Sequence, residues 1–186
     1  MKSIPLTSAN RLRRPSGFSL VEVLISIIVL AIGLIGAAMM QLTAARTTAQ
    51  SSMHDTAIAL AGQVADEIRA NRAQMAAFLL VRYAASDPVG SLAHPCYSQY
   101  CSAAEMADQA THDWMQRIHD ALPGGRIEIC RDPVVVDSAT GTFGWCGSAG
   151  GTPADPVVIK IGWSERDPGG QQVADTSPRV AMLVSP

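Results

Sequence analysis

The sequence predicts an α+β protein: a long N-terminal α-helix, transmembrane in its first half, packed on a small antiparallel β-sheet head with an extra helix. Three observations predict it. The block from Phe18 to Met40 is 23 residues long and carries one formal charge, Glu22. An apolar stripe at helical spacing continues beyond that block, with no proline between Leu20 and Ser86. Short alternating segments separated by Gly/Pro turns fill the last third of the chain.

The 186 residues suffice for one domain of ordinary size plus an anchor. Charge is unevenly placed. Residues 1–17 hold Lys2, Arg11, Arg13 and Arg14 and no acid. Of 14 basic residues, 10 therefore remain beyond that segment, against 16 acids. No basic patch is left to suggest nucleic acid as a partner.

A helix of 23 residues, rising about 1.5 Å per residue, crosses the roughly 30 Å hydrocarbon core of a bilayer. The arginines on its N-terminal side keep the N-terminus cytoplasmic and send the rest outward. Two plainer readings compete. A secretory signal peptide has a shorter apolar run and opens into a cleavage loop, whereas "MMQLTAARTTAQ" keeps helical character. A bare membrane anchor leaves Glu22 unexplained.

An ionised side chain within a membrane segment costs on the order of 2.5–3.5 kcal/mol at mid-bilayer and less near the ends. The apolar run holds no Lys, Arg or His, and Arg14 lies beyond Pro15 and Gly17. A cut after Gly17 would give Phe18 a new α-ammonium four residues before Glu22, about one helical turn away. At about 4 Å and an effective dielectric near 20, that attraction is on the order of 4 kcal/mol before desolvation. Pairing between chains would make the carboxylate an assembly device. Pro15 and Gly17 favour an extended, accessible junction ahead of the helix.

A basic leader, Gly17, Phe18, Glu22 and an apolar helix together resemble a class III signal peptide, the signature of type IV pilins and type II secretion pseudopilins. The resemblance implies a pilin-like fold and cleavage by a prepilin peptidase after Gly17. It further implies N-methylation of Phe18 and a subunit-docking role for Glu22. Within the family, "GFSLVEVLIS", "LAIGLIGAA", Gln41, "ALPGG" and "VVIKIGWSERD" are similar to PilV-type minor pilins. That similarity covers the helix well and the head in patches.

The resemblance gives the segments their expected parts: leader 1–17, transmembrane or filament-core helix half 18–40, amphipathic helix half 41–80 and globular head 81–186. It implies a non-catalytic minor subunit that helps prime or modulate pilus assembly. The expected partners are prepilin peptidase, other minor and major pilins, and inner-membrane lipid. The protein would sit in the inner membrane with a periplasmic head, then in the pilus at the cell surface. A minor pseudopilin of a type II secretion system is the alternative within the class. A membrane-anchored periplasmic enzyme or binding module is the alternative outside it.

Element by element, Met53, Ala57, Leu60, Val64 and Ile68 form one apolar face, with Asp66 and Glu67 read as solvated. One helix from Phe18 to Leu80 would be roughly 90 Å long, with Gly33 and Gly36 as weak points. "ASDPVGSLAHP" closes it. Ser102 and Glu105 have capping-box spacing. Met106, Ala110, Trp114, Ile118 and Leu122 then mark a second helix, stopped by Pro123-Gly124-Gly125. "RIEIC" and "VVIKIGW" alternate as strands, "DPVVVD" is a further candidate, residues 138–156 a Gly-rich loop, "ERDPGGQQ" a hairpin turn and "RVAMLV" the last strand.

Cys96, Cys101, Cys130 and Cys146 all follow the apolar segment, on the expected outer side, where disulfides form. Four cysteines allow three pairings; the local choice joins Cys96 to Cys101 and Cys130 to Cys146. Zinc is disfavoured, because Cys-x4-Cys with His112-x6-His119 lacks ligand spacing. No cofactor motif, thiol-redox pair or catalytic signature is present. His54 and His94 read as solvated or hydrogen-bonded. Trp114, Trp145 and Trp163 read as packing, with Trp145, beside Cys146, also a candidate for partner contact.

Overall fold

The computed structural model describes residues 17–79, 81–147, 151–166, 171–173 and 177–184. Residues 1–16 of the expected leader, the centre of the "ERDPGGQQ" turn and Leu80 lie outside them. The chain forms two compact units, Met1–Arg46 and Thr47–Pro186.

Helix α1 runs Leu20–Ala70, unbroken through Gly33 and Gly36. It stops short of the expected Leu80. Asn71 donates its backbone N–H and its side-chain Nδ2 to the Glu67 carbonyl, at 3.0 and 3.1 Å. An asparagine that engages local carbonyls in this way terminates a helix without a proline. A 3₁₀ turn, Arg72–Gln74, and the short α2, Met75–Phe78, follow. Of the expected stripe, Ala57, Val64 and Ile68 are buried, joined by Ala61 and Ala65, while Met53 and Leu60 flank them half-buried.

Helix α3, Ala103–Ala121, begins with a complete capping box. The Ser102 N–H donates to Glu105 Oε2 at 2.8 Å, and the Glu105 N–H donates to Ser102 Oγ at 3.3 Å. Trp114, Ile118 and Leu122 are buried, but Met106 is 53% exposed and Ala107 takes its place. Each step of four residues turns the helix about 40° past a full circle, so the last of four steps leaves the core face. The helix ends before Gly124, at φ +61°, where a Cβ would lie 2.3 Å from Ser164 Oγ.

Among the described residues six strands form two antiparallel sheets: β1 Arg82–Ala84, β2 Arg126–Arg131, β3 Val157–Gly162, β4 Glu165–Arg166, β5 Gln172–Val173 and β6 Val180–Val184. The main sheet has the order β1-β2-β3-β6, and β4 pairs with β5 as a small hairpin. Strand β1 has no counterpart among the expected elements. "DPVVVD" is not one of the strands. Asp132 and Asp137 accept backbone N–H groups from Val134 and Ala139, at 2.9 and 2.8 Å, and fold the segment into turns. Its one β-contact is an isolated bridge, Val136 to Phe143.

The core lies between the second part of α1, α2, α3 and one face of the main sheet. Ile127, Ile129, Val157, Ile159 and Ile161 point into it, with Trp163 just beyond β3. The alternation read from "RIEIC" and "VVIKIGW" fixes this face. The second face is covered too, so Glu128, Cys130, Val158 and Lys160 are also buried.

Candidate assembly site

Gly17, Phe18 and Ser19 precede α1, and Glu22 lies in its first turn. The Ser19 carbonyl accepts from the N–H groups of Glu22 and Val23, at 3.0 and 3.2 Å, closing that turn. A carboxylate there complements the positive end of the helix dipole. Phe18 is 82% exposed, and the large apolar side chains from Leu20 to Leu42 are exposed as well. Such a contiguous apolar surface requires lipid or other apolar chains around it. Among the described residues Glu22 forms no ion pair. The Ser26 hydroxyl donates to its carbonyl at 2.7 Å and leaves the carboxylate untouched.

The structure does not bring the cysteines to this region. It joins Cys96 to Cys101 and Cys130 to Cys146, with S–S distances of 2.07 and 2.04 Å. The second bond straps residues 132–147 across the outer face of the main sheet. Glu128 and Lys160, opposite each other in the β2–β3 register, lie beneath that strap. Glu128 accepts from the Cys146 N–H at 2.8 Å and from Arg126 Nη2 at 2.5 Å. The Arg126 guanidinium rests 3.9 Å from the Trp145 ring centroid. Lys160 Nζ bonds the Asp132 carboxylate and donates to the Gly144 carbonyl at 2.5 Å. Each buried charge thus has an opposite charge and a backbone partner.

The remaining candidates are dispersed. Glu67, read as solvated, is half-buried and accepts from Trp114 Nε1. His54 lies tilted against Trp163, with ring centroids 6.0 Å apart. His119 Nδ1 meets the Tyr83 hydroxyl at 2.9 Å, and His112 Nε2 meets the Gly90 carbonyl at 2.7 Å. Among the described residues no group of His, Cys, Asp and Glu is arranged to hold a metal ion. Burial, then the nearby charges of Asp87 and Asp120, push the Tyr83 phenol above its ordinary range. Hydrogen bonding to Asp113 pushes Tyr97 in the same direction. Glu105 is held low by the hydrogen bonds from the Ser102 backbone and hydroxyl.

Comparison with known proteins adds two findings. Residues 12–38 match the prokaryotic N-terminal methylation motif. Residues 39–112 match the family described as type IV pilin Tt1218. No curated protein and no solved structure matches the chain. A methylation motif over the apolar segment passes directly into a pilin family match that carries α1 into the head, on a long helix with a small antiparallel sheet, and the chain is therefore a type IV pilin-like protein.

Proposed function

We propose that the protein is a minor pilin of a type IV pilus, a non-catalytic structural subunit that helps prime or modulate pilus assembly. In this reading prepilin peptidase cuts between Gly17 and Phe18 on the cytoplasmic side, and Phe18 becomes the N-methylated terminus. Residues 1–17 are the leader, 18–40 the membrane and filament-core helix half, 41–80 the amphipathic half of α1 with the 3₁₀ turn and α2 that follow it, and 81–186 the head. The head faces the periplasm before assembly and the cell surface afterwards.

One observation carries the reading: a single carboxylate, Glu22, stands four residues after Phe18 at the head of an exposed apolar helix, inside a methylation motif. In lipid or a filament interior that charge needs a cation, and the new α-ammonium of Phe18, on the same chain or a neighbour, supplies one. The family match supports partnership with other pilins and processing by a prepilin peptidase. The likeness of "LAIGLIGAA" and "VVIKIGWSERD" to PilV-type sequences supports a minor subunit.

The test combines processing, assembly and abundance. Mass spectrometry of the mature chain should give an N-terminus at methylated Phe18. Glu22→Leu should be processed yet fail to enter filaments. Sheared filaments should contain the native chain at a small fraction of the most abundant subunit. A mature chain beginning at Met1 or beyond Met40 would defeat the proposal, as would filaments that accept Glu22→Leu as readily as the native residue.

A further inference from the structure

Strand β6 is an edge of the main sheet, and among the described residues no strand pairs with its outer side. Every second residue of such an edge turns its N–H and C=O outward, unpaired. Leu183, 53% exposed, stands on the outer face next to that edge. A cleft of about 580 Å³ opens at the C-terminal end of β6. Met75, Val157 and Leu183 give it apolar walls, and Arg69, Arg72 and Arg131 ring it with guanidinium groups against one carboxylate, Asp155, which the Thr152 N–H and hydroxyl engage at 2.6 and 2.8 Å.

Those arginines are under-used. Arg131 donates to the Asp155 carbonyl at 2.8 Å and forms no ion pair among the described residues. Arg69 pairs with Asp66 at 2.7 Å at an exposed position, where such a pair contributes little. Arg72 forms no side-chain hydrogen bond or ion pair among the described residues. Beyond residue 17 the chain has an excess of acids, 16 against 10 basic residues, so this cleft reverses the prevailing sign.

We infer that the β6 edge and its arginine cleft dock an extended acidic segment of a different neighbouring subunit, added to the sheet as a further strand. Main-chain bonds to β6 would supply affinity, the apolar walls would take one side chain, and the guanidinium groups would select Asp or Glu. A second copy of this chain fits poorly, because the edge strands of its main sheet, Arg82–Ala84 and Val180–Val184, contain no acid, and the acid of the β4 edge, Glu165, is already paired with Arg179 at 3.2 Å. The inference rests on the subunit reading above, and its test separates the two.

The full-length chain, with Leu183 replaced by photo-reactive p-benzoylphenylalanine, is expressed in cells that assemble filaments, irradiated and digested for mass spectrometry. The expected adduct is an acidic, extended segment of another pilin-type subunit. Arg72→Glu should lower its yield about fivefold or more, and Arg72→Lys should retain most of it. Both variants alter an exposed side chain, and intact mass with disulfides retained verifies their folding. No adduct, an adduct with lipid, a helix or a second copy, or a yield indifferent to Arg72→Glu would overturn the inference. The mature N-terminus is read from the same digest. A chain beginning at Phe18 without the adduct defeats the docking edge alone, whereas an uncleaved chain defeats the subunit reading.

Discussion

Glu128 and Lys160 show what a sequence pattern leaves out at the scale of single residues. Alternation in "RIEIC" and "VVIKIGW" assigns both to the face away from the core, and that is where they stand. It does not say that residues 132–147, distant in sequence, cover that face. Lys160 has 0% exposure, and its one ion pair among the described residues is with Asp132. Lys160→Met should therefore lower stability by about 3–5 kcal/mol, because Asp132 and the Gly144 carbonyl lose their partner under the strap. Replacing Asp132 with Leu in the same chain should restore at least half of the loss, as well-packed apolar pairs replace buried ion pairs. Urea midpoints of the three proteins measure both effects. Glu105 allows a titration test. Its pKa is depressed in the folded state, so its contribution is present above the unfolded value and is lost as pH falls through the folded one. The stability gap between the native chain and Glu105→Ala should thus be full at pH 7 and close on acidification towards pH 3, as urea unfolding at each pH would show.

At the scale of elements, local chemistry was legible and long-range placement was not. Ser102 and Glu105 announce the start of α3 because a capping box is complete within four residues. Met53 to Ile68 announce a core face because helical spacing is itself the cause of the burial. Gly17, Phe18 and Glu22 are legible as a candidate site because their types and spacing suffice without tertiary structure. "DPVVVD" misleads because Val-rich composition suggests a strand, while its flanking aspartates cap turns. β1 is only three residues long and acquires its identity from pairing with β2. The β6 cleft joins Arg69, Arg72 and Arg131 from separate elements, which no local pattern could announce. The strap also differs from the smaller disulfide loop in energetic weight. Cys130–Cys146 closes 16 residues, and its removal should cost about 3 kcal/mol on the chain-entropy account. Cys96–Cys101 closes 5 and should cost nearer 2 kcal/mol. Paired Cys→Ser variants followed by chemical denaturation would rank them. Loss of the first bond should also open the segment around Gly141 to protease, because the cover over Glu128 and Lys160 is released, whereas loss of the second should leave that segment protected.

At the scale of the whole molecule, the solvent demanded by the first unit differs from that demanded by the second. No buried residue occurs between Phe18 and Leu42, whereas the buried core residues among those described fall between Ala57 and Val184. The core, both disulfides and the six described strands belong to the unit Thr47–Pro186. Its stability should therefore be independent of the apolar segment, which contributes nothing to that core. A chain starting at Thr47, exported to an oxidising compartment, should be soluble without detergent and unfold in one cooperative transition. Its urea m-value should lie within the ~1–3 kcal/mol/M of small two-state proteins, reflecting the surface one intact core exposes. The full-length chain should need detergent or lipid for the opposite reason: its exposed leucines, isoleucines and valines remain uncovered in water. A shortened chain with native-like far-UV but no near-UV dichroism, or with a broad non-cooperative transition, would show that the apolar segment takes part in specifying the head. The division between an apolar segment that needs lipid or neighbouring chains and an independently stable second unit would then be wrong.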